Sequence, residues 1–288
     1  MTKTELRKLT ALGLVLLSVT GGYLAGKDFQ KPKQDKPAIS KQEKPKSTSK
    51  DTSNNESNPT TAGDFSAEAA NLSAKEFTTG SSIIEKVNGD KSTLNPTEWV
   101  GPKITYSGLD SSNRVGAATA YLTKVNYGIS EGREAQKWSP TGWHNQAKRV
   151  DGKRVFPQNR GHLIAYTLSF NFDQDGNLKN GELGSIDNPK NLFTQSAYSN
   201  QVPFQVFEEL VRKSIRAGSK VTYRVQPIFR DGELMARGLW AQAVSDTGDV
   251  DFNVYIHNVQ PGIQFNYTDG TSKVDQGMKI KEYVKGEN

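Results

Sequence analysis

Large apolar side chains are spread unevenly along the chain and divide it into three blocks. A mostly apolar, uncharged run from Leu9 to Gly26 follows Lys3, Arg7 and Lys8. From Lys27 to about Asp64 the sequence is Lys, Pro, Gln, Ser, Asn and Thr, with almost no large apolar group. From Phe65 onward apolar residues return. The first block, residues 1–26, has the layout of an export signal, a positive stretch ahead of an apolar one. It ends in Leu24-Ala25-Gly26 without a clear A-x-A site, and Gly21 and Gly22 weaken it as a helix. A cleaved signal and an uncleaved membrane anchor through residues 9–26 therefore both stay open. The second block, residues 27–64, cannot bury enough surface to offset its ordering entropy and reads as a disordered polar and basic tether. The third, residues 65–288, is large enough for one domain with a real core.

Within that domain the periodicity changes along the chain. Ala117 to Val125 reads as a strand, and Arg154 to Phe170 has strand-like apolar character. Asp173 to Asn177 resembles part of a calcium loop but lacks a ligand at the expected spacing, so a plain Asx/Gly turn is expected. Phe204, Phe207, Leu210, Val211 and Ile215 fall at helical spacing, with Pro203 at the entry and Gly218 as the stop. Val221, Tyr223 and Val225 alternate as in a strand, Asp231-Gly232 marks a turn, and Leu239–Val244 and Phe252–Ile256 give two more strands. The order is that of an α+β fold with a mainly antiparallel sheet flanked by helices.

Composition sharpens this in two places. The absence of cysteine excludes disulfides and thiolate metal sites. The formal charge is +6, but residues 1–65 hold 11 of the 37 basic and 7 of the 31 acidic residues. The remainder is almost balanced, so any field for nucleic acid in the folded part must come from local clustering.

Only three histidines compete for a role as general base: His144, His162 and His257. His162 alone has Arg160 and Gly161 immediately before it. A neutral imidazole can take a proton from water, Arg160 can pair with phosphate oxygens, and Gly161 would let a bulky phosphodiester approach the backbone. A second cluster follows, with Asn191, Asn200, Glu208 and Arg212. An Asn amide oxygen is a hard, neutral ligand, and magnesium needs few protein ligands because it keeps several waters. Glu208 could hold such a water. Its i,i+4 spacing to Arg212 also suits a plain surface ion pair.

These segments resemble the DNA/RNA non-specific endonucleases of the ββα-metal fold. The match runs through Asn159-Arg160-Gly161-His162-Leu163, residues 188–195, Ser199-Asn200-Gln201 and residues 208–213. Residues 252–262 resemble the exported streptococcal branch of that family. The resemblance implies His162 as general base and Asn200 as the direct Mg2+ ligand, with Mn2+ as a substitute. It implies Asn191 as a residue positioning substrate or base, Glu208 as a carboxylate on a metal-bound water, and Arg160 and Arg212 at phosphate and transition-state positions. Many members have Asp where this chain has Asn159, which keeps an acceptor but loses a charge near the metal. The activity implied is sequence-non-specific hydrolysis of DNA, and also of RNA, leaving 5′-phosphate ends, by an exported protein that is secreted or anchored at the cell surface. A surface nucleic-acid receptor with an impaired site is the competing reading, and Asn159 is its support.

Overall fold

The computed structural model describes residues 62–131 and 133–281. The expected export signal, most of the expected tether and the last residues of the expected domain lie outside the described residues. The helix α1 is Ala62–Ser73. The strands are β1 Ile84–Lys86, β2 Lys103–Tyr106, β3 Ala118–Leu122, β4 Lys148–Val150, β5 Lys153–Val155, β6 Gln158–His162 and β7 Leu192–Ser196. A single turn of helix, α2 Ala197–Ser199, and a longer helix, α3 Gln205–Ala217, come next. Then follow β8 Val221–Ile228, β9 Gly238–Ser245, β10 Asp251–His257, β11 Ile263–Phe265 and β12 Ser272–Val274.

Six strands form the central sheet in the order β1-β10-β9-β8-β3-β2, and every pairing is antiparallel. The alternation of Val221, Tyr223 and Val225 suggests one buried face, yet Thr222 and Arg224 are buried too. Both faces of β8 to β10 are covered. On one side, Phe207, Val211 and Ile215 of α3 join the main core with Tyr223, Ala241 and Val254. On the other, Phe65 and Leu72 of α1 pack with Ile228, Trp240 and Tyr255. The Phe65 and Trp240 rings meet edge-on at 5.7 Å, and the Arg224 guanidinium lies 4.2 Å over Phe65. A cation can sit there because its flat face contacts rings while its edge donates to Gln226. The described helix begins at Ala62, three residues inside the stretch expected to be tether.

Helix α3 follows its apolar spacing, except that Leu210 is 38 % exposed. Gly218 closes it in the left-handed region at φ 108°, which an L side chain rarely adopts. Pro203 lies within a π-type turn, Asn200–Phe204, that leads into α3. The expected strand character over Arg154–Phe170 resolves into β5, β6 and then a 3-10 turn at Tyr166–Leu168. The chain leaves the strand after His162 because the N–H groups of Leu163 and Ile164 are taken by the backbone oxygen and the Oδ1 of Asn191, each at 2.9 Å. Asp173 to Asn177 is a closed Asx turn, with Asp173 Oδ1 accepting from the N–H groups of Asp175 and Asn177.

Candidate active site

Strands β6 and β7 form a separate two-stranded ladder in which Asn159 faces Gln195 and His162 faces Leu192. The chain then turns through α2 and the Asn200–Phe204 turn into α3. This ββα unit brings residues far apart in sequence around one cleft of about 700 Å³. Asn159, Arg160, His162, Asn200, Glu208 and Arg212 all line it. His144 and His257 do not: His144 is exposed, and His257 is buried against Glu85.

His162 is 7 % exposed. Its Nε2 lies 3.2 Å from the carbonyl oxygen of Ile186. A carbonyl only accepts, so Nε2 carries the proton and Nδ1 carries the lone pair. Burial is the main force lowering the imidazole's pKa, to about 4, and the Arg133 guanidinium adds to it, against raising contributions from the Ile186 and Ser185 carbonyls and Asp187. The ring is therefore neutral at pH 7, with its tautomer set by the Ile186 carbonyl.

Asn191 does not reach the cleft. It is fully buried, and its Nδ2 donates to Ile164 O at 3.0 Å and to Ser185 Oγ at 3.3 Å. It ties the segment after His162 to the segment that ends in the Ile186 carbonyl. Of the two roles expected for it, positioning of the base fits these bonds.

Gly161 also has a different reason from the one expected. It is buried, and a Cβ there would stand 2.2 Å from Gln195 Oε1 and 2.8 Å from Gln195 Cβ. The neighbouring strand, not an approaching phosphodiester, requires glycine at this position.

Glu208 and Arg212 form no surface pair, since their side chains are 12 % and 16 % exposed. They stand 3.5 Å apart. Burial pushes the Glu208 carboxyl up to about 7, although Arg212 and Arg133 pull it down. The Arg212 Nε donates to Glu209 at 2.8 Å, and Nη1 reaches Thr167 Oγ1 at 3.4 Å. The guanidinium of Arg160 stacks 4.4 Å over the Trp143 ring, and its Nη2 reaches Ser139 Oγ at 3.4 Å. Stacking leaves the edge of a guanidinium available for a bidentate anion.

Sequence reasoning missed Arg133, Gln136, Trp143 and Asn145, which line the same cleft. Gln136 donates to Arg160 O at 3.1 Å, and Asn145 accepts from the Gln158 N–H at 3.0 Å. Their only signal was polar and aromatic character in a stretch without periodicity, which a plain surface loop shares.

The family model for DNA/RNA non-specific endonuclease matches residues 91–247. Among solved structures, the chain is similar to NucA from Streptococcus agalactiae with magnesium ion bound, at TM-score 0.60 and 28 % identity over 75 % of this chain and 97 % of that one. The same protein with no metal bound matches at TM-score 0.59 and 27 % identity, over 73 % and 95 %. Sda1 nuclease with bound zinc ion shares the fold at TM-score 0.51 and 20 % identity, over 65 % and 95 %. The antiparallel sheet and the ββα unit at the cleft are the architecture of these nucleases. The matched region holds every cleft residue named above, and the chain belongs to the DNA/RNA non-specific endonuclease family, hydrolases that cut nucleic acid.

Proposed function

We propose that this nuclease is an exported, sequence-non-specific, Mg2+-dependent endonuclease that hydrolyses DNA, and RNA as a second substrate, leaving 5′-phosphate ends. Mn2+ would substitute for Mg2+. Residues 1–26 would direct export, as a cleaved signal or as an anchor. The observation that carries the catalytic reading is His162 itself, a neutral imidazole whose Nε2 is committed to the Ile186 carbonyl and which lines one cleft with Arg133, Arg160 and Arg212.

The donor set fits a magnesium ion. Among the described residues no group of three His, Cys, Asp or Glu could hold a metal, but Asn200 and Glu208 bring hard oxygens to one cleft. Magnesium accepts such a sparse set because it keeps its waters. Asn200 would hold the ion directly and Glu208 through a water. NucA, at 28 % identity, carries magnesium, which supports this choice. When bound, the ion supplies Lewis-acid stabilisation of negative charge on the phosphodiester oxygens.

The chain's own residues supply the rest. His162 Nδ1 takes the proton of the attacking water, and the Nε2–Ile186 bond holds the ring and stabilises the imidazolium that forms. Asn191 keeps that bond in place by fixing the Ser185 and Ile164 segments. Arg160 and Arg212 face the charge that builds on phosphorus oxygens. Contacts to phosphates carry no base information, which accounts for a lack of sequence preference. Asn159 keeps an acceptor in the cleft without adding a charge.

Degradation of a supercoiled plasmid by the purified chain, with Mg2+ and then with excess chelator, tests the reading. Fragments with 5′-phosphate ends are expected with metal and none with chelator, and Asn200→Ala should abolish turnover or sharply raise the metal requirement. Full cleavage in chelator would overturn the metal assignment. Binding of DNA with no cleavage in any divalent metal would favour the impaired receptor.

A further inference from the structure

A near-neutral domain that holds a polyanion needs a local cluster of cations. One stands on the hairpin of β4 and β5. Between Lys148 and Arg154 there are four cations and one carboxylate, Asp151. Asp151 and Gly152 turn the chain with φ values of 48° and 75°, the left-handed pair of a two-residue hairpin loop. The register sets Arg149 directly opposite Arg154. Like charges in that position weaken a hairpin, and a two-stranded ladder this short has little stability to lose. No carboxylate among the described residues pairs with Lys148, Arg149, Lys153 or Arg154.

Alternation along the strands separates the two faces of the hairpin. Val150 packs on the small cluster of Met235, Ile263 and Phe265; a Cβ on Gly262 would stand 2.3 Å from its Cγ1. Arg149 and Arg154 share the opposite face, and both are exposed. The Arg154 guanidinium lies 4.9 Å over the ring of Phe156. One face anchors the hairpin and the other presents two unneutralised guanidinium groups to solvent.

Both stems of the hairpin rise from the active cleft. Trp143 and Asn145 precede β4, Gln158 and Asn159 follow β5, and all four line the cleft. Arg154 and Arg160 stand six positions apart, so their Cα atoms lie within about 20 Å. That span is roughly six steps along a duplex strand.

We propose that the β4–β5 hairpin is a second contact for the nucleic-acid backbone, with Arg149 and Arg154 gripping phosphates several nucleotides from the bond that is cut. The phosphates supply counter-charges for cations that no described carboxylate pairs with, and the contact pulls substrate across the cleft without touching the chemistry. This inference rests on the nuclease reading of the cleft.

The test compares the full chain with its Arg149→Gln/Arg154→Gln double variant. Binding of a labelled 30-base-pair duplex, followed by fluorescence anisotropy in excess chelator, reads the contact without turnover. Loss of two phosphate contacts should raise Kd on the order of tenfold at physiological salt and lower the slope of log Kd against log salt by about 1.8. The Arg149→Lys/Arg154→Lys variant should restore most of the slope. With Mg2+, the double variant should show a raised KM on the duplex at unchanged kcat, and unchanged turnover of a dinucleotide too short to reach the hairpin. An unchanged Kd and salt slope overturns the proposal, as does an equal loss on the dinucleotide. A wild-type chain that binds duplex but never cuts it overturns the nuclease reading instead, and the anisotropy series still decides the hairpin.

Discussion

Two buried histidines on this chain meet different acceptors, a neutral carbonyl and a carboxylate, and the difference separates the proposed base from a structural imidazole. His162 gives its Nε2 proton to a carbonyl and opens onto a cleft of about 700 Å³. His257 ends β10 and places Nε2 2.6 Å from a carboxylate oxygen of Glu85. It lines a smaller cavity, about 350 Å³, whose other charged groups are already engaged. Glu85 also holds Lys75 at 2.5 Å, and Arg237 pairs with Glu76 at 3.2 Å. The His257 ring packs edge-on against Phe77 and Tyr255. Burial lowers the pKa of both imidazoles, and for His257 it outweighs the opposing pull of Glu85. What differs is the acceptor at Nε2 and the cavity that each ring lines. Burial and a lowered pKa alone therefore do not mark a catalytic base.

The sharpest way to break this contrast is to remove each ring in turn. His162→Ala should lower kcat/KM on plasmid DNA by about a thousandfold or more, since a general base contributes about 10²–10⁴-fold, with the fold intact by circular dichroism. His257→Ala should stay within a few-fold of wild type. Equal losses in the two variants would mean that His162 holds the fold rather than takes the proton.

That contrast was only partly readable in the amino-acid order. The central strands β8, β9 and β10 and the helix α3 were legible because apolar spacing is a local property, and so was the identity of the six cleft residues that stand in compact motifs. The burial of Arg224 and Glu208 was not legible, because it depends on α1 covering one face of the sheet and on the cleft closing over α3. Gly161 was found as a motif position but for another physical reason, since its neighbour Gln195 is set by strand pairing, and the bonds of Asn191 to Ile164 and Ser185 appear only in the folded chain. Arg133, Trp143 and the β4–β5 hairpin lie where periodicity is weakest, and only the folded chain brings Arg133 and Trp143 to the cleft.

A smaller effect separates the cleft's own titrating groups. In metal-free protein, His162 has a folded pKa near 4, below its ordinary value, and Glu208 has one near 7, above its ordinary value. The signs oppose. The His162 contribution is present above about 6.5 and is lost as pH falls toward 4, because the unfolded imidazole takes a proton that the folded one refuses. The Glu208 contribution is present below about 4.5 and is lost as pH rises through 7, because the folded carboxyl keeps a proton that the unfolded one releases. Each swing is on the order of 3 kcal/mol, and together they leave the wild type nearly flat between. Urea unfolding in chelator should show His162→Ala gaining stability as pH drops from 7 to 4.5 and Glu208→Gln losing it as pH drops from 6.5 to 4. His257 is common to both variants. Parallel curves for the two variants would show that these groups are not buried as described.

The smallest effect belongs to the structural histidine's partner. Glu85→Ala leaves His257 Nε2 buried without its acceptor, and a lost bond to a charged acceptor costs about 1.5–3 kcal/mol. Part of that is offset, because the Glu85 side chain is 34 % exposed and water can enter. A net loss of about 1–2 kcal/mol is expected, read as a lower urea midpoint at pH 7. Glu85→Gln keeps an oxygen acceptor for Nε2 and should recover most of it, while the Lys75 pair, with 39 % of its lysine side chain exposed, contributes little. Plasmid cleavage at saturating Mg2+ should stay within a few-fold of wild type for both variants at a temperature well below their transitions. A cleavage defect in Glu85→Ala approaching that of His162→Ala, without unfolding, would couple the two cavities and end their separation into a working site and a structural one.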